Sequence, residues 1–396
     1  MRFLAGCLGM TRKETHFFRA AERLIVMRNY YQFMPRNDLL RQARAARKDE
    51  FYTQYVDIQL EVNAYIDNNP NVFRGKTILL PCDDPEWSNF TRFFAENFEQ
   101  FGLKKLISTS YAVESKNYEQ EWQPTLFEKE NPKYHAEKSR VCGKIFVLDK
   151  DINNSGRIDW DDLQWEYLEG DGDFRSEEVC KLRDEADIII TNPPFSMFRE
   201  FVAWIFEAQK QFLIIGHQNA ITYKEIFPLL QNNVMWLGKG FKGGAAHFLS
   251  AYNDYASAGD HQEGMIRVSG VVWFTNIDHG HRHQPLQLMT MAENIKYSKH
   301  KEVRGVAYQK YVNYDALEVP FSDAIPSDYD EPMGVPVTFM DKYCPEQFEI
   351  IGISLALGKN KPANLPKAQQ GGPAFYLKEE SGYRRLYPRI VIRKKQ

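Results

Sequence analysis

Two periods alternate along the apolar positions of the chain, and together they predict its elements. Thr77 to Leu80, Ile145 to Leu148, Ile188 to Ile190 and Phe212 to Gly216 are short, nearly continuous apolar runs, the pattern of strands buried on both faces, and Leu106 to Tyr111 reads as a further strand. Helical spacing appears between them. Tyr55, Ile58, Val62, Tyr65 and Ile66 recur before Asn68-Asn69-Pro70, and Phe90, Phe93, Phe94, Phe98 and Phe101 follow Ser88, a predicted N-cap, and end at Gly102. Phe198, Phe201, Val202 and Ile205 fall at i, i+3, i+4 and i+7. Strands alternating with helices in this way predict an α/β fold, doubly wound around a mainly parallel sheet. Beyond Gly216 the pattern changes: Met265 to Ile277 alternates as a hairpin, residues 313 to 336 carry Pro, Asp and Tyr with little periodicity, and Tyr383 to Lys395 reads as one strand studded with Arg. Residues 112 to 140 are polar and read as an insertion or loop, and the main boundary falls near residue 285.

Length and composition narrow the class. A chain of 396 residues is long enough for about two domains, and 43% hydrophobic with 26% charged residues is the balance of a soluble globular protein. No apolar run approaches the length of a bilayer span, so no membrane partner is expected. Cys7, Cys82, Cys142, Cys180 and Cys344 show no paired spacing, which fits free thiols in a reducing cytoplasm. The net charge of −3 hides strong segregation. Residues 1 to 50 hold 11 Lys/Arg against 5 Asp/Glu, residues 353 to 396 hold 10 against 2, and residues 151 to 190 hold 4 against 13. Local basic surface is what binds phosphate, so the two ends are the candidates for nucleic acid. Most charge runs are nonetheless only solvated faces.

Residues 186 to 195, Ala-Asp-Ile-Ile-Ile-Thr-Asn-Pro-Pro-Phe, carry the chemistry. A strand runs straight into Asn192-Pro193-Pro194-Phe195, and a helix follows at once, which puts the turn at the carboxyl end of a strand, where open α/β sheets bind ligands. A bare Asn-Pro-Pro is ordinarily a loop; this context suits methylation of an exocyclic amine. Such a nitrogen is a poor nucleophile because its lone pair is delocalised into the ring. The Asn192 side-chain oxygen and the Pro193 carbonyl can each accept one N–H and stabilise the positive charge that develops as the nitrogen turns tetrahedral. The prolines hold both acceptors rigid, and Phe195 offers a flat face to the ring.

Methyl transfer needs an activated donor, commonly S-adenosylmethionine, and three patches are candidates to hold it. Asp83, in Pro81-Cys82-Asp83-Asp84, can hold the donor's ammonium or ribose; the competing reading is a capped helix start. In Gly170-Asp171-Gly172-Asp173-Phe174 a carboxylate can accept from the donor adenine's amine while Phe174 lies against the ring. The rival there is an Asp/Gly turn, since the ligand spacing of a calcium loop is missing. The third is Phe51-Tyr52-Thr53-Gln54, where aromatics at a helix start are more often core. His279, His281 and His283 suggest zinc, yet no cysteine pair accompanies them, so a solvent-facing turn and no metal are expected.

Taken in order, Lys48-Asp49-Glu50-Phe51-Tyr52-Thr53-Gln54-Tyr55, Pro-Cys-Asp-Asp-Pro, Gly-Asp-Gly-Asp-Phe-Arg-Ser and Thr-Asn-Pro-Pro-Phe resemble the EcoRI-type adenine-specific DNA methyltransferases over about residues 45 to 396. Asn219 to Lys224, Tyr314-Asp315-Ala316 and the run from Gly334 to Phe348 fit as well. The resemblance implies a seven-stranded S-adenosylmethionine-dependent domain over 45–285, a target-recognition region over 286–396 and a basic extension over 1–44. It implies N6-methylation of a flipped-out adenine in duplex DNA by a monomeric bacterial or phage enzyme, with a restriction endonuclease acting on the same site as partner where one accompanies it. By position, Asn192, Pro193, Pro194 and Phe195 match the catalytic motif. Phe51, Tyr52, Thr53, Pro81, Asp83, Asp171 and Asp173 match the donor motifs. For DNA, the basic residues Arg384, Arg385, Arg389, Arg393 and Lys394 are the candidates. Two alternatives stand beside this one: the same chemistry on an RNA base or protein glutamine, and a catalytically silent DNA-binding protein.

Overall fold

The computed structural model describes residues 52–83, 88–112, 134–159, 162–241, 245–249, 265–363 and 365–395. Its first half contains β1 (Tyr52–Thr53), α1 (Tyr55–Asn68), β2 (Thr77–Leu80), α2 (Asn89–Glu96), β3 (Lys105–Ser110), β4 (Lys144–Leu148), β5 (Gln164–Tyr167), α3 (Glu177–Glu185), β6 (Ile188–Thr191), α4 (Phe198–Glu207) and β7 (Gln211–His217). After these come β8 (Trp236–Leu237), β9 (Ala245–Leu249), β10 (Met265–Ser269) and β11 (Val271–Thr275). The chain closes with β12 (Leu317–Glu318), β13 (Met333–Pro336), β14 (Phe348–Ile353), β15 (Tyr376–Glu379), β16 (Gly382–Arg385) and β17 (Arg389–Lys394).

One large sheet has the order β5-β4-β3-β2-β6-β7-β11-β8. Its centre, β3-β2-β6-β7, is parallel, and antiparallel strands extend both edges. Among the described residues this sheet has eight strands, two of them at one edge antiparallel additions beyond β7; seven were expected. The central runs are buried throughout because each strand feeds two cores at once. Leu79, Ile107, Ile189 and Ile214 point to one face, where Phe198, Phe201, Val202 and Ile205 of α4 cover them. Ile78, Leu80, Leu106, Ile188 and Ile190 point to the other, against Ile58, Val62 and Tyr65 of α1 and Phe90, Phe93 and Phe94 of α2. This alternation at period two explains why the strands read as continuous apolar runs. Ser88 does cap α2, its hydroxyl accepting from the N–H groups of Phe90 and Thr91, and the helical pattern breaks at Asn97 before a further turn over Phe98–Phe101.

Two expectations need correcting. β10 and β11 do not pair with each other: β10 joins β9 and β1 in a three-stranded antiparallel sheet, whereas β11 lies in the large sheet. Only Gly270 separates them, at φ +74°, and a single residue turns the chain from one sheet to the other but cannot close a hairpin. The arginine-rich tail is two strands, interrupted at Leu386–Pro388, with β16 paired to β15 and β17 lying between β13 and β14. Past residue 285 the chain builds its own four-stranded sheet, yet Val303, Leu317, Phe339 and Ile390 share one core with α4 and the large sheet. Residues 1–51 and 113–133, which include the basic extension and most of the polar insertion, lie outside the described residues.

Candidate active site

From β2 the chain crosses to β3 on one side, while β6 pairs with β2 on the other, so the carboxyl ends of β2 and β6 flank the topological switch point of the sheet. Both strongest motifs emerge there: Pro81-Cys82-Asp83 from β2 and Asn192-Pro193-Pro194-Phe195 from β6. Asp83 ties the two together. Thr191 Oγ1 donates to its Oδ2 at 2.7 Å and Ser88 Oγ to its Oδ1 at 2.7 Å. Its backbone is fixed to β3, with its N–H on the Thr109 carbonyl at 3.1 Å and its carbonyl accepting from Ser108 Oγ at 2.7 Å. At 7% exposure, with each carboxylate oxygen engaged by a hydroxyl, Asp83 holds β2, the start of α2 and β6 in one arrangement. The capped-helix reading of Pro81-Cys82-Asp83 thus describes it, since the same serine caps α2 and binds the aspartate.

The tetrapeptide Asn192-Pro193-Pro194-Phe195 is a sharp turn. Pro193 is buried, Asn192 and Phe195 are half-buried, and a short 3-10 turn over Phe195–Met197 leads into α4. That turn closes from the Met197 N–H to the Pro194 carbonyl at 3.0 Å, one residue past the Pro193 carbonyl. Asn192 Nδ2 donates to Thr53 Oγ1 at 3.4 Å, which puts Oδ1 at the opposite end of the amide. Thr53 is 3% exposed in β1, and its carbonyl accepts from Asn89 Nδ2 at 2.7 Å. Tyr52 shares β1, and Phe51 and Asp84 lie outside the described residues.

The loop Gly170–Arg175 packs on the end of β3. Ala112 N–H donates to the Asp171 carbonyl at 2.7 Å. Gly172, at φ +83°, sits so close that a Cβ there would be 2.2 Å from the Ser110 carbonyl, so no other residue fits this approach. Asp173 accepts from Arg175 through Nε at 2.9 Å and Nη2 at 2.6 Å, and from the Tyr111 hydroxyl. Partial burial would raise its pKa, but the guanidinium and the phenol outweigh it and hold the carboxyl at about 2. Tyr111 is pushed up in turn, by burial first and then by Asp173. Asp173 is therefore spent on Arg175 and Tyr111. Phe174 is 3% exposed, edge-on to Phe201 at 5.1 Å and Trp204 at 5.5 Å, so the expectation that it offers a ring face is corrected: it is core.

The basic residues near the C-terminus are less available than their number suggested. Arg389, mostly but not fully buried, pairs with buried Glu318, Nη2 to Oε1 at 2.8 Å, and so leaves the candidate DNA-binding group. Lys394 bonds Asp330 at 2.8 Å, Arg393 bonds Glu349 at 3.0 Å, and Arg384 bonds Glu379 at 2.6 Å. Arg385 donates to the Gly372 carbonyl at 3.2 Å. Arg384 and Arg393 remain about half exposed, and Tyr387, between them in sequence, is 86% exposed. The histidine turn is not solvent-facing throughout: His279 is 1% exposed, with Nε2 on the Leu237 carbonyl at 3.0 Å, and burial lowers its pKa to about 4. Sequence reasoning missed Thr191, Tyr111 and Arg175. Only Thr191 left a signal, as the residue between an apolar strand and Asn-Pro-Pro.

A family model described as adenine-specific methyltransferase EcoRI matches residues 39–395. The chain is 38% identical over 320 residues to the type II methyltransferase M.EcoRI of Escherichia coli, covering 80% of this chain and 89% of that protein. It is 31% identical over 368 residues to M.MpnI of Mycoplasma pneumoniae, covering 89% and 97%. No solved structure matches it.

Proposed function

Because the chain belongs to the EcoRI-type adenine-specific methyltransferase family and is thereby a DNA adenine methyltransferase, we propose that Asn192, Pro193, Pro194 and Phe195 form its catalytic turn and act on the N6 amine of an adenine flipped out of the duplex. The observation that supports this most is the position of the turn, at the carboxyl end of β6 beside β2, where the sheet opens a crevice.

In this reading Asn192 Oδ1 and the Pro193 carbonyl accept the two N–H groups of the amine and favour the tetrahedral nitrogen. Phe195 lies against the ring. Extrusion costs a few kcal/mol and aromatic stacking returns roughly 1–3 kcal/mol, so phosphate contacts supply the remainder. The nitrogen bonds the methyl carbon as the carbon–sulfur bond breaks, and the amine then sheds one proton. S-adenosylmethionine, when bound, supplies the methyl group on a good leaving group. Its ammonium, ribose hydroxyls and adenine amine are donors and its sulfonium is cationic, and the chemistry of the crevice fits: Asp171 and backbone carbonyls are acceptors within a strongly acidic stretch. Asp171, beside Tyr111 and accepting from the Asp173 N–H at 3.1 Å, is the carboxylate assigned to the donor, whereas Asp83 bonds the Thr191 and Ser88 hydroxyls and Asp173 pairs with Arg175.

Residues 286–396 are proposed as the target-recognition region, with Arg384, Arg385, Arg393 and Tyr387 as its DNA-facing group. Exposed ion pairs such as Arg384–Glu379 contribute only about 0–1 kcal/mol, so these arginines can exchange a carboxylate for a phosphate. A monomer acting alone or beside a restriction endonuclease completes this reading.

Methylation-aware sequencing of DNA from cells expressing the protein tests the activity, base and target together. Asn192→Ala is expected to lower methyl transfer by roughly 10²- to 10³-fold while donor affinity holds. Methylated adenine at wild-type levels from that variant would refute the assignment, and methylation of tRNA or protein glutamine in place of duplex DNA would refute the substrate.

A further inference from the structure

The contacts around Asn192 close into a ring. Starting from Thr53, its carbonyl accepts from Asn89 at 2.7 Å; Asn89 follows Ser88; Ser88 donates to Asp83 at 2.7 Å; Asp83 accepts from Thr191 at 2.7 Å; Thr191 precedes Asn192; and Asn192 Nδ2 returns to Thr53 Oγ1 at 3.4 Å. Every member of this ring except Asn192 and Asn89 is at most 7% exposed. β1 is itself pinned, with Thr53 paired opposite Phe248 of β9 and α1 starting two residues later. The Thr53 hydroxyl is thus held by the fold at one place, and that place is the nitrogen end of the Asn192 carboxamide.

A carboxamide has an accepting end and a donating end of nearly equal shape, and hydrogen bonds alone decide which way it faces. An Asn192 carboxamide that drifts or rotates by a half-turn withdraws its oxygen from the target amine and leaves only the Pro193 carbonyl to accept. We propose that Thr53 is a positioning residue whose hydroxyl, in contact with Nδ2 at 3.4 Å, anchors the Asn192 carboxamide in the turn so that Oδ1 can meet the adenine. The inference rests on the catalytic role given to Asn192 above. It departs from the donor-binding role that the family resemblance assigns to Thr53, because the hydroxyl lies on the asparagine in a buried ring.

Thr53→Val keeps the shape and removes the hydroxyl, and Thr53→Ser keeps the hydroxyl. A neutral hydrogen bond of this kind biases the amide by roughly 3- to 10-fold. The single-turnover rate at saturating S-adenosylmethionine and duplex DNA is therefore expected to fall by roughly 2-fold, and by about 10-fold at most, in Thr53→Val. Calorimetric affinity for S-adenosylhomocysteine should be unchanged, and Thr53→Ser should recover the rate. In an Asn192→Ala background Thr53→Val should have no further effect on the residual rate. Loss of cofactor affinity with an unchanged saturated rate would overturn the proposal in favour of a donor contact. So would equal rates for Val and Ser, whether both normal or both reduced. If valine prevents folding, Thr53→Ala is compared with Thr53→Ser under the same criteria. Asn192→Ala separates the two levels of argument: full activity there defeats the catalytic reading, whereas an inactive Asn192→Ala beside a fully active Thr53→Val defeats this inference alone.

Discussion

Arg389→Ala distinguishes a structural arginine from a DNA-binding one, and the structure sets the size of each effect. The guanidinium forks on Glu318 through Nη2 at 2.8 Å and Nε at 3.1 Å, with side-chain exposures of 13% and 7%, and the Tyr311 hydroxyl also bonds that carboxylate. Burial, and after it Glu318, drives the Tyr311 pKa far up, so the phenol stays neutral and offers Glu318 no charge in return. Deleting the arginine leaves a buried carboxylate with one neutral donor, a change that costs about 3–5 kcal/mol. Against a typical total of about 5–15 kcal/mol this is large and readable as a lower urea midpoint. DNA affinity, measured below the unfolding transition as a function of salt, should keep its slope, because that slope changes by about 0.9 only when a cation that neutralises a phosphate is removed. Arg384→Ala and Arg385→Ala should behave in the opposite way, with stability within about 0.5 kcal/mol and a shallower slope. An Arg389→Ala protein as stable as wild type with a slope reduced by about one would refute the reasoning.

Phe174→Ala should cost about 3–5 kcal/mol in denaturant unfolding, as for a core aromatic, with cofactor affinity below the transition unchanged; a loss of affinity alone would return Phe174 to the donor site. Gly172→Ala should lower both stability and cofactor affinity, because a Cβ meets the Ser110 carbonyl at 2.2 Å and φ is +83°; thermal unfolding and calorimetry check this, and an unaffected variant would contradict the close approach. Glu61 is wholly buried in α1, accepting from the Tyr65 hydroxyl at 2.7 Å and the N–H groups of Lys239 at 2.9 Å and Gly240 at 3.0 Å, and burial raises its pKa to about 7 despite those donors. A raised folded pKa means stability fully present below the unfolded value near 4.5 and lost as pH rises through about 7, so Glu61→Gln should flatten the fall in stability across that window. Urea midpoints between pH 4.5 and 8 that run parallel in the two proteins would show that Glu61 does not titrate there.

What the sequence revealed and what it hid divide along sequence distance. Most of the parallel strands were legible as runs such as Ile188-Ile189-Ile190, apolar on both faces, and the candidate catalytic turn was legible because Asn192 to Phe195 are contiguous. The contacts that organise the site were not, since Thr191 and Asp83 stand 108 residues apart and Asn192 and Thr53 stand 139 apart. Counting arginines near the C-terminus overstated the free cations for the same reason: the partner of Arg389 lies 71 residues upstream and that of Arg393 lies 44. Alternation on both sides of Gly270 indicated two strands correctly, but one glycine with positive φ sent them to different sheets. Phe174 beside two aspartates looked like a ligand contact, and only the approach of Phe201 and Trp204 from α4 identifies it as packing.

The placement of β17 between β13 and β14 constrains how this protein can be shortened. Its Ile390, Val391 and Ile392 are wholly buried, so cutting away residues 386–395 would not trim an edge but split a sheet down its middle. Two new rows of unpaired amides would open, on β13 and on β14, each ready to recruit a foreign strand. Deletion series from that end should therefore pass abruptly from intact protein to insoluble material, with no gradual loss of sequence preference in between.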